Sequence, residues 1–154
     1  MRRSKKSSRF TKSRPGDFGP PLIGALLRIP WETVRRRMLE RLHERGFEDL
    51  DVAHLTVFQY PGPQGAKPSE LAARLHASKQ SINHLLGQLE RFGYLERRND
   101  AEDKRSRRIH LTPRGRSAGL TIREAVAEVE REWERRLGAE RLAQLRALLR
   151  ELSE

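Results

Sequence analysis

Apolar residues recur at steps of three or four along most of this 154-residue chain, the spacing that gives a helix one buried face. From Leu22 to His43, the residues Ile23, Leu27, Trp31, Val34, Met38 and Leu42 form such a stripe, with Arg35, Arg36, Arg37 and Arg41 largely around it. This predicts a long amphipathic helix interrupted near Pro30, whose ring removes one backbone donor and crowds the preceding turn. Asp51 is placed to cap a short helix through Leu55 and Phe58, ended by the Pro- and Gly-rich run from Tyr60 to Gly65.

A second helical pair follows. Pro68 suits the first position of a compact helix to Leu75, with Glu70 near its positive end. Ser78 then caps a helix through Ile82, Leu85, Leu86 and Leu89 to Phe92, and Gly93 supplies a left-handed stop. The turn between them is three or four residues long, so the pair reads as a helix-turn-helix, or as an ordinary αα-hairpin. Ala72 lets the helices approach, and Ile82 and Leu85 lie where the second packs back on the first.

After Gly93 the period changes. Tyr94–Arg98 and Arg107–Leu111 have alternating apolar positions around a polar loop, Asn99 to Ser106, which predicts a β-hairpin. Arg97, Arg98, Lys104, Arg105, Arg107 and Arg108 all lie on it. A basic hairpin directly after a helix-turn-helix is the order of a winged helix, in which the second helix enters a major groove and the wing reaches the neighbouring minor groove. Thr112-Pro113 starts a long helix to about Leu137, with Ile122, Val126, Val129, Trp133 and Leu137 on one face. Gly138 breaks it, and Leu142, Leu145, Leu149 and Leu152 mark a last helix. The fold class is therefore mainly α (α+β), a winged helix-turn-helix with long terminal helices. Their stripes exceed what the winged helix needs for its own core, and the surplus fits either a dimer interface or internal packing.

Charge sharpens the choice of partner. The formal net charge is +11, which favours a polyanion. Seven basic side chains against Asp17 put +6 of it in the first 20 residues, which read as a basic disordered arm, leaving 21–154 as a single domain. The hydrophobic fraction of 36% is enough for a core. With no cysteine, disulfides, thiolate zinc sites and cysteine nucleophiles drop out. The five histidines show no ligand spacing, and no phosphate-binding glycine loop or nucleophile elbow is present, so neither metal, cofactor, catalytic residue nor enzymatic activity is indicated. Without an 18-residue apolar run or a signal-peptide core, the expected location is the cytoplasm, with no membrane partner.

These residues resemble the multiple-antibiotic-resistance regulator (MarR) family of winged-helix transcription factors over about residues 22–152. The resemblance is carried by Glu70-Leu-Ala-Ala-Arg-Leu75, by Ser78 through Leu95, and by Asp100-Ala-Glu-Asp-Lys-Arg-Ser-Arg-Arg-Ile-His-Leu-Thr-Pro-Arg-Gly115. Asp103-x-Arg105-Ser106 is similar to the family's wing tip, and Leu111-Thr112-x-x-Gly115 to its exit into the dimerisation helix. The resemblance implies a homodimer whose two winged helices (51–112) read the halves of a pseudo-palindrome in double-stranded DNA, with dimerisation helices at 21–45 and 113–153. It also implies a small-molecule effector pocket where the first two helices meet the long fifth one; Trp31, His54 and Phe58 are candidates to line it, or to fill the core. Many members have glycine in the bend where His76 stands, so this backbone must be reached without one.

Within that frame Gln80, Asn83 and His84 are the candidates for base edges, since they offer donors and bidentate pairs. Ser78, Lys79 and Ser81 suit phosphates at a helix start. Arg97, Arg98, Arg107 and Arg108 are further phosphate candidates, or pair with acids in the hairpin. Arg105 is the candidate for minor-groove insertion; Asp103 orients it or caps the turn. The competing reading is a basic RNA-binding or architectural protein without sequence preference.

Overall fold

The computed structural model describes residues 20–59, 64–100 and 106–153. The expected arm falls outside them except for Pro20. Helix α1 (Ile23–Glu44) is unbroken with Pro30 inside it, which corrects the expected interruption. Proline costs the helix one hydrogen bond, to the carbonyl four residues back. That carbonyl belongs to Leu26, which is 53% exposed, so water can serve it. All the buried residues of α1, Val34, Met38 and Leu42, follow Pro30.

Helix α5 (Pro113–Leu137) lies along α1 and buries Ala118, Ile122, Ala125 and Val129. Ion pairs run beside this seam: Arg41 Nη2 lies 2.9 Å from Glu128, Arg37 Nη1 3.0 Å from Glu132, and Arg45 Nη2 2.8 Å from Glu124. Hydrogen bonds from Arg41, and then from Arg37, hold the Glu128 carboxyl below the usual glutamate value. Helix α6 (Ala139–Glu151) follows Gly138 and buries only Leu142; Leu145, Leu148, Leu149 and Leu152 are exposed.

Between the long helices, Asp51 caps α2 (Val52–Leu55) by accepting from the Ala53 N–H at 2.8 Å, and a 3-10 turn (Val57–Gln59) continues it. Helix α3 (Pro68–Arg74) is joined to α4 (Lys79–Arg91) through His76, at φ +47°. A residue with a Cβ thus occupies the left-handed region where the resemblance led one to expect glycine. On α4 the inner stripe is Ile82, Leu86 and Leu89, all buried, while Leu85 is only half-buried.

Strands β1 (Leu95–Asn99) and β2 (Arg107–Leu111) form the predicted antiparallel hairpin, with Leu95 opposite Leu111 and Asn99 opposite Arg107. A feature missed in the sequence is a third backbone contact: Ala66 bridges to Ile109, with N–H···O distances of 3.1 and 2.8 Å. One residue is too short to show a period, but it ties the entry of α3 to the middle of β2.

Tyr94 joins the hairpin to α5. Its ring is fully buried, its hydroxyl donates to Asp49, and its carbonyl accepts the Thr112 N–H at 3.0 Å. Gly115 passes so close to that carbonyl that a Cβ there would lie 2.1 Å from the oxygen. Glycine is required for the approach, not for an unusual φ. Among the described residues no helix is long and apolar enough to cross a membrane.

Candidate nucleic-acid interface

The exposed face of α4 and its N-cap carry the polar residues that the sequence singled out on this helix. Ser78, Lys79, Gln80, Ser81, Asn83 and His84 are all exposed. Ser78 has a structural duty as well: its Oγ accepts the Ser81 N–H at 3.0 Å and lies 2.8 Å from the Ser81 hydroxyl. Both hydroxyls are therefore already engaged at the helix start, whereas Lys79 and Asn83 make no side-chain hydrogen bond or ion pair among the described residues.

The face divides. Lys79 and Asn83, one turn apart, line an open cleft of about 460 Å³ together with Arg97 and Arg107 of the hairpin and Lys67 and Ser69 at the entry of α3. Gln80 and His84, also one turn apart, are outside its lining. Lys67 and Ser69 were not anticipated. The available signal was slight: a lysine directly before the helix-starting Pro68.

The four hairpin arginines differ in what holds them. Arg97 Nε lies 3.1 Å from Glu90 and Arg98 is paired with Glu96. Arg108 Nε lies 3.0 Å from Asp100, and its Nη1 donates to the Gly65 carbonyl at 3.3 Å. Arg107 is exposed and forms no ion pair among the described residues. The pairing with acids that the sequence left open thus applies to Arg97, Arg98 and Arg108. Asp100, quoted in the sequence motif without a role, is 3% exposed and also accepts from Lys67 Nζ at 3.2 Å. It clamps the loop end of the hairpin to the entry of α3. The tip residues Asp103 and Arg105 lie outside the described residues.

The three effector-pocket candidates are not gathered around one cavity. His54 is buried; its Nδ1 accepts the Asp51 N–H at 3.1 Å, which leaves Nε2 to donate to Gln88 Oε1 at 3.3 Å. Its ring meets Phe92 edge-on. Phe58 packs edge-on against Tyr94 in the core. Trp31, directly after Pro30, is 43% exposed. Beside it α1 forms a separate hollow of about 360 Å³ with the α5–α6 corner, walled by Ile29, Thr33, Trp133 and Leu145.

An exposed polar helix face, a braced basic hairpin and a connecting bend are thus built from one stretch of chain. Residues 49–106, which contain the helix face, the bend and β1 but not β2, match the model of the MarR family. Over these residues the chain is similar to MarR-family proteins. It is 33% identical over 121 residues to the exopolysaccharide II synthesis transcriptional activator ExpG of Rhizobium meliloti, a match covering 77% of this chain and 62% of ExpG. It is 32% identical over 85 residues to the uncharacterized HTH-type transcriptional regulator YkoM of Bacillus subtilis, covering 55% of this chain and 54% of YkoM. The matches therefore span less than two thirds of either relative. Among solved structures, CouR from Rhodococcus jostii RHA1 bound to p-coumaroyl-CoA superposes with a TM-score of 0.69 over 85% of this chain and 91% of CouR, at 22% identity. At that identity the likeness shows the fold alone, a winged helix-turn-helix.

Proposed function

We propose that the chain is a DNA-binding transcription regulator acting in the cytoplasm as a homodimer, each copy setting α4 into the major groove of one half of a pseudo-palindromic operator. The observation that carries the reading is the pairing of two exposed surfaces. One is the polar face of α4 beside the basic hairpin. The other is a set of uncovered apolar side chains on α1 and α6, among them Ile23, Leu26, Leu27, Leu148 and Leu152. Exposed apolar side chains in this number call for a cover, and a second copy meeting them would present two recognition helices related by a two-fold axis.

Gln80, Asn83 and His84 then face the groove, and Arg105, oriented by Asp103, reaches the flanking minor groove. Control by a small-molecule effector is the finer part of the same reading. It is supported by the p-coumaroyl-CoA bound to CouR, and the hollow beside Trp133 offers more room for a ligand than the packed His54 and Phe58 do.

The test is selection of duplexes from a random pool by the full chain, with sedimentation of the chain alone. A two-fold symmetric consensus and a dimeric mass are expected. Equal binding of random duplex or RNA and of the best duplex at physiological salt would replace this reading by the architectural one.

A further inference from the structure

We infer that the cleft between α4, the hairpin and the entry of α3 is the seat of a DNA backbone phosphodiester, and that Asn83 is a backbone ligand there, leaving base discrimination on α4 to Gln80 and His84. The inference rests on the operator-reading function above and divides the labour within it.

Three observations carry it. The first is charge left over. Four cations line the cleft, Lys67, Lys79, Arg97 and Arg107; Asp100 engages Lys67 at 3.2 Å and Glu90 engages Arg97 at 3.1 Å. Lys79 and Arg107 have no acidic partner among the described residues, so the cleft keeps positive charge that an anion can neutralise without displacing a carboxylate.

The second is donor chemistry. Asn83 brings an amide and Ser69 a hydroxyl to the same space, neutral donors that suit the two non-bridging oxygens of a diester. The third is direction. Lys79 and Asn83 share one stripe of α4 because they are four residues apart, and Gln80 and His84 share the next. Only the first stripe looks toward the hairpin. A duplex whose major groove takes α4 and whose minor groove takes the hairpin must pass its backbone between the two, which is where the cleft lies.

The experiment is a cycle between protein variants and neutral phosphates. The duplex enriched by the wild-type chain is made with a methylphosphonate at one phosphate at a time, and binding is followed by fluorescence anisotropy across salt. One position should weaken wild-type binding about tenfold and should cost Asn83→Ala, Lys79→Ala and Arg107→Ala markedly less, since each has already lost a partner of that phosphate. Lys79→Ala and Arg107→Ala should each lower the salt slope by about one, and Asn83→Ala should leave it unchanged. Asn83→Ala should also weaken the enriched and a scrambled duplex by the same factor, whereas Gln80→Ala and His84→Ala should weaken only the enriched one.

All five side chains are exposed, so unchanged thermal melts are expected. Normal enrichment by the wild type, with discrimination lost in Asn83→Ala and no coupling to any methylphosphonate, overturns the assignment alone. A wild-type chain that enriches nothing overturns the operator reading, and this assignment falls with it.

Discussion

The guanidinium carbon of Arg114 stands 4.5 Å from the centre of the Tyr94 ring, and its Nη2 donates to the Tyr94 hydroxyl at 3.0 Å. The same Nη2 lies 2.9 Å from Asp49 Oδ2. A cation over a ring face is attracted by its quadrupole, and here one cation also holds the phenol and the carboxylate together. Burial, and then the hydrogen bond to Asp49, push the Tyr94 hydroxyl up to about 12, against the opposing effect of Arg114.

The sign of the resulting pH dependence is fixed by that upward shift. The folded chain keeps the phenol protonated where the unfolded chain releases its proton, so the contribution is intact below pH 10 and is lost as the pH rises through about 12. Urea unfolding of the wild type minus that of Tyr94→Phe, measured from pH 8 to 12, should therefore shrink by roughly 2 kcal/mol at the alkaline end. A flat difference curve would mean that the hydroxyl is not held in this way.

At the acid end the seam between α1 and α5 should respond. The Glu128 carboxyl is held below its ordinary value by Arg41 and Arg37, so its contribution is present above the ordinary glutamate range and is lost as the pH falls through the lowered value. Glu128→Gln should be less stable than the wild type at pH 7 and should approach it at acid pH. Parallel acid-unfolding curves for the two proteins would count against the seam.

His76 provides a test of backbone strain. At φ +47° a non-glycine residue costs roughly 1–2 kcal/mol, while glycine costs extra entropy in the unfolded chain. His76→Gly should therefore raise the unfolding free energy by up to about 1 kcal/mol, and His76→Val should lower it, because a branched Cβ is disfavoured in this region. Chemical denaturation of the three proteins reads this directly.

Removing the carboxylate of Asp100 leaves Lys67 and Arg108 without their shared acceptor at the loop end of the hairpin. Asp100→Ala should cost about 2–3 kcal/mol, and faster amide exchange should spread to Ala66 and Ile109, whose bridge depends on the same alignment. A loss confined to residues 98–100 would show that the clamp does not reach α3.

Local chemistry made much of this fold legible in the sequence. Ser78 and Thr112 cap as their residue types require, with Thr112 Oγ1 accepting the Gly115 N–H at 3.1 Å, and the alternation around Ile109 marks a strand. What escaped was decided by distant partners. Gly115 read as part of a family motif, but its need is the Tyr94 carbonyl. Asp100 is explained only when Lys67 and Arg108 are brought to it. Whether His54 and Phe58 line a pocket or fill the core stayed open, because a sequence does not say whether the space before a side chain is occupied; both side chains are buried. On α4, all the recognition candidates were named from residue type, yet their division into a stripe facing the cleft and one facing away depended on where the hairpin stands.

Pro30 separates two halves of α1 with different fates. The turns after it are held by Val34, Met38 and Leu42 in the core, and the turns before it bury no side chain. An isolated helical segment of that length is marginal in water, so in a lone copy it opens more readily than the turns after Pro30. Deuterium should enter the amides of Leu26–Ile29 long before those of Met38–Leu42, and protection of the first set would then report assembly without any change in the core.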